Sequence, residues 1–155
     1  MAGTCNDALR ALSERIKIPL ELHEGSCEFN LGGQPFIITD DVELDRLVVS
    51  SLVADDLPAS PSRDLTVELL NFGFGMMHAG LPAIGRDPET GFLAAFEVFP
   101  CSRLVAAEFP DAFMKFVTFA VQLAERLDKD RDAAPAAALE PSAGSTAPDP
   151  SMIRV

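Results

Sequence analysis

The stretch Ile84-Gly85-Arg86-Asp87-Pro88-Glu89-Thr90-Gly91 decides the fold class. It sits between two apolar runs, Leu81 to Arg86 and Phe92 to Phe99, and Asp87 to Gly91 places Pro early and Gly last, as a hairpin connection requires. Two strands joined by so short a turn must run antiparallel. The chain therefore contains at least one piece of antiparallel sheet, and the elements on either side determine what covers it.

Immediately upstream, Pro61 to Met77 reads as a helix, with Leu65, Leu69, Phe72 and Met76 on one stripe and Val67, Leu70, Phe74 and Met77 beside it. Ser60 or Ser62 offers its cap. Gly73 and Gly75 each cost roughly 1 kcal/mol relative to Ala inside a helix, so either the helix ends early or close packing compensates. The linker Asp55 to Pro61, with two prolines and two aspartates, separates this helix from three β-like runs: Leu20 to Leu31, Pro35 to Asp40 and Leu44 to Ala54. The first two meet at Gly32-Gly33-Gln34. Cys27, Phe29 and Leu31 alternate with Glu28 and Asn30, the signature of a half-buried strand. Phe36-Ile37-Ile38 and Leu47-Val48-Val49, in contrast, are apolar on both faces, which predicts that something covers the second side of the sheet too.

The chain opens with Cys5, Ala8, Leu9, Leu12 and Ile16 at helical spacing, with Thr4 as N-cap and Pro19 as the stop. A last helix is expected from Pro110 to Leu127, carrying Phe113, Phe116, Val117, Ala120, Ala124 and Leu127 on one face. From Asp132 to Val155 the chain holds seven Ala, four Pro and three Ser in 24 residues and no apolar period, so residues 132–155 are expected to form a disordered tail after a domain of residues 1–131. The order α-β-β-β-α-β-β-α defines an α+β domain with a twisted antiparallel sheet and three helices.

Composition narrows the function. Twelve Lys and Arg against 24 Asp and Glu give a formal charge of -12, which repels nucleic acid and anionic membrane surfaces. No apolar run spans a bilayer, and charges at Asp7, Arg10, Glu14 and Arg15 are unlike a signal peptide, so a cytoplasmic protein is expected. A content of 48% hydrophobic residues beside that charge leaves an apolar surplus suited to a partner or a second copy. Three widely spaced cysteines, Cys5, Cys27 and Cys101, fit neither a disulfide framework nor a metal knuckle and read as reduced thiols. The two histidines, His23 and His78, lack the company of a nucleophile and an orienting group, so no catalysis is expected. The acidic run Asp40-Asp41-x-Glu43-x-Asp45 lacks the central glycine and terminal acid of a calcium loop, and no glycine pattern suits a nucleotide, so neither metal nor cofactor is expected.

Three further pieces carry a resemblance: Ile16-Lys17-Ile18-Pro19 closing the first helix, Leu69-Leu70-Asn71-Phe72 in the second, and the Gly85-x-Asp87-x-x-Thr90-Gly91 hairpin. Over about Asn6 to Leu127 the chain resembles the class I (CesT/Tir-type) type III secretion chaperones, and within them the acidic, broad-specificity HpaB-like group of plant-pathogenic bacteria. The resemblance implies a homodimer that keeps the N-terminal segment of an effector protein non-globular and delivers it to the secretion ATPase. On that basis Leu9, Leu12, Phe29, Leu31, Phe36, Ile38, Leu47 and Val49 are expected to contact the client. Leu69, Phe72, Met76, Phe92 and Phe96 are expected to form the dimer contact. The competing reading is an acidic regulatory binding module, an anti-activator, with one folded partner.

Overall fold

The computed structural model describes residues 2–55, 61–79, 82–86 and 90–133. Its elements are α1 (Ala2–Ile16), β1 (Ser26–Leu31), β2 (Gln34–Asp41), β3 (Arg46–Ala54), α2 (Arg63–Ala79), β4 (Ala83–Arg86), β5 (Leu93–Pro100), a 3-10 turn (Cys101–Arg103) and α3 (Phe109–Ala133). The five strands form one antiparallel sheet in the order β1-β2-β3-β5-β4. The expected α+β order is therefore the observed one. The central acids of the β4–β5 turn, Asp87 to Glu89, most of the linker after β3 and the Ala/Pro-rich tail from residue 134 lie outside the described residues.

Hairpin geometry follows from glycine where the expectation placed it. Gly32 and Gly33 take φ of 63° and 88°, the left-handed pair that a two-residue turn between right-twisted strands demands, and Leu31 pairs with Gln34 across it. The first strand begins later than Leu20. His23 and Ser26 exchange both backbone hydrogen bonds (2.8 and 3.1 Å) around Glu24 and Gly25, whose positive φ values reverse the chain, so Leu20 and Leu22 approach the core from an irregular segment.

Two helix boundaries also move. Helix α1 starts at Ala2, so Thr4 lies inside it and is not its cap; α3 runs six residues beyond Leu127, taking in Asp132 and Ala133 from the expected tail. Ala, Asp, Lys and Arg there tolerate a helix, and Arg131 reaches Asp128 one turn back at 3.8 Å. Helix α2 continues through Gly73 and Gly75 to Ala79. Its start is capped as expected: the Leu65 N–H donates to Ser62 Oγ at 3.1 Å.

The core lies on one face of the sheet only. Cys27 and Phe29 of β1, Phe36 and Ile38 of β2, Leu47, Val49 and Val53 of β3, and Leu93 and Ala95 of β5 point there and meet Ala8, Leu9 and Leu12 of α1 and Phe113, Phe116, Ala120 and Leu127 of α3. Phe36 is at its centre, with ring centroids 5.9 Å from Phe29, 5.6 Å from Phe113 and 6.2 Å from Phe116. Helix α2 sits beside β4 and α3, anchored by buried Leu65, by Phe72 edge-on to Phe119 at 5.1 Å, and by Arg126 donating to Glu68 at 3.2 Å.

Within the sheet, one buried polar residue belongs to this core. Ser51 is 1% exposed, and its hydroxyl donates to the Pro35 carbonyl at 2.8 Å and accepts from Gln34 Nε2 at 2.9 Å. The same amide nitrogen also donates to the Leu52 carbonyl. Every buried side-chain nitrogen and oxygen among the described residues has a hydrogen-bond partner.

Candidate binding surface

Pairing fixes which side chains occupy the outer face of the sheet. Ile37, Ser50, Phe96 and Ala83 form one cross-strand row, Thr39, Val48 and Val98 a second, and Leu52, Ala94 and Gly85 a third. The result is an apolar strip across β2, β3 and β5. Ile37 is 37% exposed and Val98 40%, whereas Val48, Leu52 and Phe96 are half-buried by their own neighbours. Phe92, 40% exposed, immediately precedes β5. The expected cover for the second face is thus not α1 or α3. Apolar area left open in this way is worth about 25 cal/mol per Å² to whatever removes it from water.

Two other openings are apolar. A cleft of about 430 Å³ lies between the end of α1, the β1–β2 turn and α3, lined by Ile16, Leu31, Met114, Val117 and Val121 with Arg15 at its rim. Helix α2 shows Val67 and Leu70 to solvent, the latter 70% exposed.

The residues expected to contact a client are placed by this geometry. Leu9, Leu12, Phe29, Phe36, Ile38, Leu47 and Val49 are all core residues, 9% exposed or less, and only Leu31 reaches a surface, where it lines the cleft. The sequence pairs each of them correctly with its face-mates, but the helices cover that set and leave the alternate one, Ile37, Val48 and Val98, open. Of the residues expected at a dimer contact, Leu69 and Phe72 are half-buried against the core and α3, Phe92 is exposed, and Phe96 lies on the outer face. The Met76 side chain lies outside the described residues. Val98 and Leu70 were legible only as members of wide apolar runs.

The chemistry around this surface is sparse. His23 is exposed in a turn, and the His78 side chain lies outside the described residues. Burial pushes the Cys27 thiol up, against a smaller opposing effect of a backbone hydrogen bond at Ile38. Cys5 and Cys101 are joined in a disulfide, which corrects their reading as reduced thiols: 96 residues separate them, and only the docking of α1 on the 3-10 turn brings them together. Glu97, the one acid on the inner face of β5, is held above the usual carboxylate range by burial, with Lys115 of α3 pulling the other way. In the acidic run at the β2–β3 connection Asp41 is tied up internally, accepting from Arg46 at 2.8 Å and from the Leu44 N–H at 3.2 Å.

The sequence profile of the Tir chaperone protein (CesT) family matches residues 7–124, nearly the whole described domain. The chain belongs to the Tir chaperone protein (CesT) family. This agrees with its resemblance to class I type III secretion chaperones. Among solved structures, this CesT-family chain is similar in fold to one in the ExsC-ExsE complex (TM-score 0.65, 17% identity, 81% of this chain and 94% of that one). It is likewise similar to one in the HopA1-SchA chaperone-effector complex (TM-score 0.59, 20% identity, 83% and 94%). A third is in the structure of the Yersinia pestis type III secretion chaperone SycH with a fragment of YscM2 (TM-score 0.58, 13% identity, 75% and 96%). Comparison with curated protein sequences finds no match. At these identities the likeness is one of fold. None of the described helices is long and apolar enough to cross a membrane.

Proposed function

We propose that the chain is a type III secretion chaperone that binds the N-terminal segment of effector proteins, keeps it non-globular and presents it to the secretion ATPase, acting by binding and without catalysis. The observation that carries this reading is the uncovered apolar strip on the outer face of the sheet, in a fold shared with chaperones solved together with their partners. An extended segment matches a sheet surface well, because alternate side chains of the segment can face Ile37, Val48 and Val98 while the others remain in solvent. The net charge of -12 keeps such a loaded complex dispersed. The homodimer is assigned to another open apolar area, the α2 flank with Val67 and Leu70. Such a chaperone works in the cytoplasm, where effectors are made.

The test is size-exclusion chromatography with light scattering on the full chain, alone and after co-expression with N-terminal segments of several secreted effectors. The expected result is twice the monomer mass alone and a further increase with each of several unrelated clients. The double substitution Ile37→Asp, Val98→Asp should abolish the increase and leave the dimer intact. A monomer that binds none of the segments, or a strip variant that binds them all normally, would overturn the proposal. Capture of a single folded regulator in place of effector segments would favour the anti-activator reading.

A further inference from the structure

The disulfide lies where it can hold one element to the rest. Cys5 is in the first turn of α1, and Cys101 opens the 3-10 turn after β5; their Cα atoms are 5.9 Å apart and the residues are 3% and 5% exposed. The Cys101 N–H donates to the Asp45 carbonyl at 2.9 Å, so the 3-10 turn is fastened to the β2–β3 connection. Helix α1 otherwise rests on α3 and the core through Ala8, Leu9 and Leu12. The bond therefore ties the N-terminal end of α1 to the sheet.

A carboxylate oxygen of Asp40, a half-buried residue of β2, lies within 4.8 Å of both sulfurs. In the dithiol form a modest shift of its side chain lets it accept a thiol S–H. Cys27, the remaining cysteine, is buried and unbonded in β1 and does not compete for either sulfur.

We propose that Cys5 and Cys101 form a reversible thiol-disulfide latch that fixes α1 over the inner face of the sheet, exchanging with small disulfides and thiols of the glutathione class. In the closing direction the Cys5 thiolate, uncovered when the first turn of α1 frays, attacks one sulfur of glutathione disulfide. The glutathione S–S bond breaks, a mixed disulfide forms and one glutathione thiolate leaves. The Cys101 thiolate then attacks the Cys5 sulfur and expels the second glutathione thiolate. The protein gives up two electrons and two protons, and glutathione disulfide becomes two glutathione thiols. Opening runs the same steps in reverse. Because both sulfurs are buried, attack on the closed latch requires the first turn of α1 to lift.

The experiment uses the full chain equilibrated in glutathione buffers of graded redox ratio. Free thiols are trapped with N-ethylmaleimide under denaturing conditions and counted by intact mass, and amide hydrogen exchange is followed in α1 and α3. The expected result is a step from three labels to one as the buffer becomes oxidising, with Cys27 keeping the single label. Exchange in α1 should slow by at least about tenfold across the same step, while α3 changes little. Cys101→Ser should stop at a Cys5–glutathione adduct, visible in the intact mass, and lose the slowing of α1 exchange, whereas Cys27→Ser should step from two labels to none and keep that slowing, which separates loss of the latch from loss of folding. Three labels at every ratio, or a one-label form whose α1 exchanges as fast as the reduced chain, would overturn the proposal. So would a dithiol form that takes up zinc with Cys5 and Cys101 as ligands and resists oxidation.

Discussion

Replacing Phe36 by Ala separates a core side chain from a client contact. Phe36 is fully buried and touches three other aromatic rings across β1 and α3, so truncation removes most of a large apolar side chain and leaves a cavity that Phe29, Phe113 and Phe116 cannot all collapse into. Phe-to-Ala changes at such sites cost about 3–5 kcal/mol, a large share of the roughly 5–15 kcal/mol that stabilises a domain. For a domain of this size that is a fall in Tm of roughly 10–15 °C. The control is the next residue. Ile37 points to the opposite face and is 37% exposed, so Ile37→Ala is expected to cost less than about 1.5 kcal/mol. Urea and thermal unfolding followed by far-UV circular dichroism, at one fixed protein concentration because association would add to apparent stability, measures both. If Phe36→Ala costs under about 1 kcal/mol and instead weakens effector binding, the assignment of inner and outer faces is refuted.

Three further outcomes follow from single sites. Hydrogen bonds from the Ser62 side chain and backbone N–H, helped by Arg126, hold the Asp130 carboxyl below its usual range against a smaller desolvation effect. The folded value is below the unfolded one, so this contribution is present above about pH 4 and is lost as pH falls through the folded value; the Tm advantage over Asp130→Asn should shrink only in that acid range. Glu97 has the opposite sign: its folded value is raised, so its favourable effect holds below about pH 4.3 and disappears as pH rises through the folded value, and Glu97→Gln should match or exceed the parent Tm at pH 7. Gly33→Val puts a β-branched residue at φ 88° in the β1–β2 turn and should lower stability by about 1–3 kcal/mol in urea unfolding.

Element order, the two hairpins and the Ser62 cap were legible because each rests on local chemistry: a Gly-Gly or Pro-to-Gly turn, a hydroxyl before an apolar period, an alternation along a strand. The late start of β1 was not, since Leu20 and Leu22 alternate like strand residues and only the reversal at Glu24-Gly25 interrupts them. The disulfide was invisible for a different reason, because spacing along the chain says nothing about two cysteines 96 residues apart. For the binding surface, period-two reading groups Phe36 with Ile38 and Ile37 with its own face-mates, but cannot say which set the helices cover when both are apolar. That choice is made by α1 and α3, through contacts such as Phe36 with Phe113.

A sheet that is apolar on both sides lacks the usual arbiter of strand alignment. Ordinarily a one-residue slip drives polar side chains inward and is rejected on that ground alone, but here sliding β2 past β3 would exchange one largely apolar set of side chains for another. Alignment must then be enforced by groups that cannot be swapped. Ser51 and Gln34 do this: their hydroxyl and amide find the Pro35 and Leu52 carbonyls in only one alignment, and any other leaves a hydroxyl buried among phenylalanines without a partner. The distinction between the inner and outer faces of this sheet thus depends on two polar residues, Ser51 and Gln34.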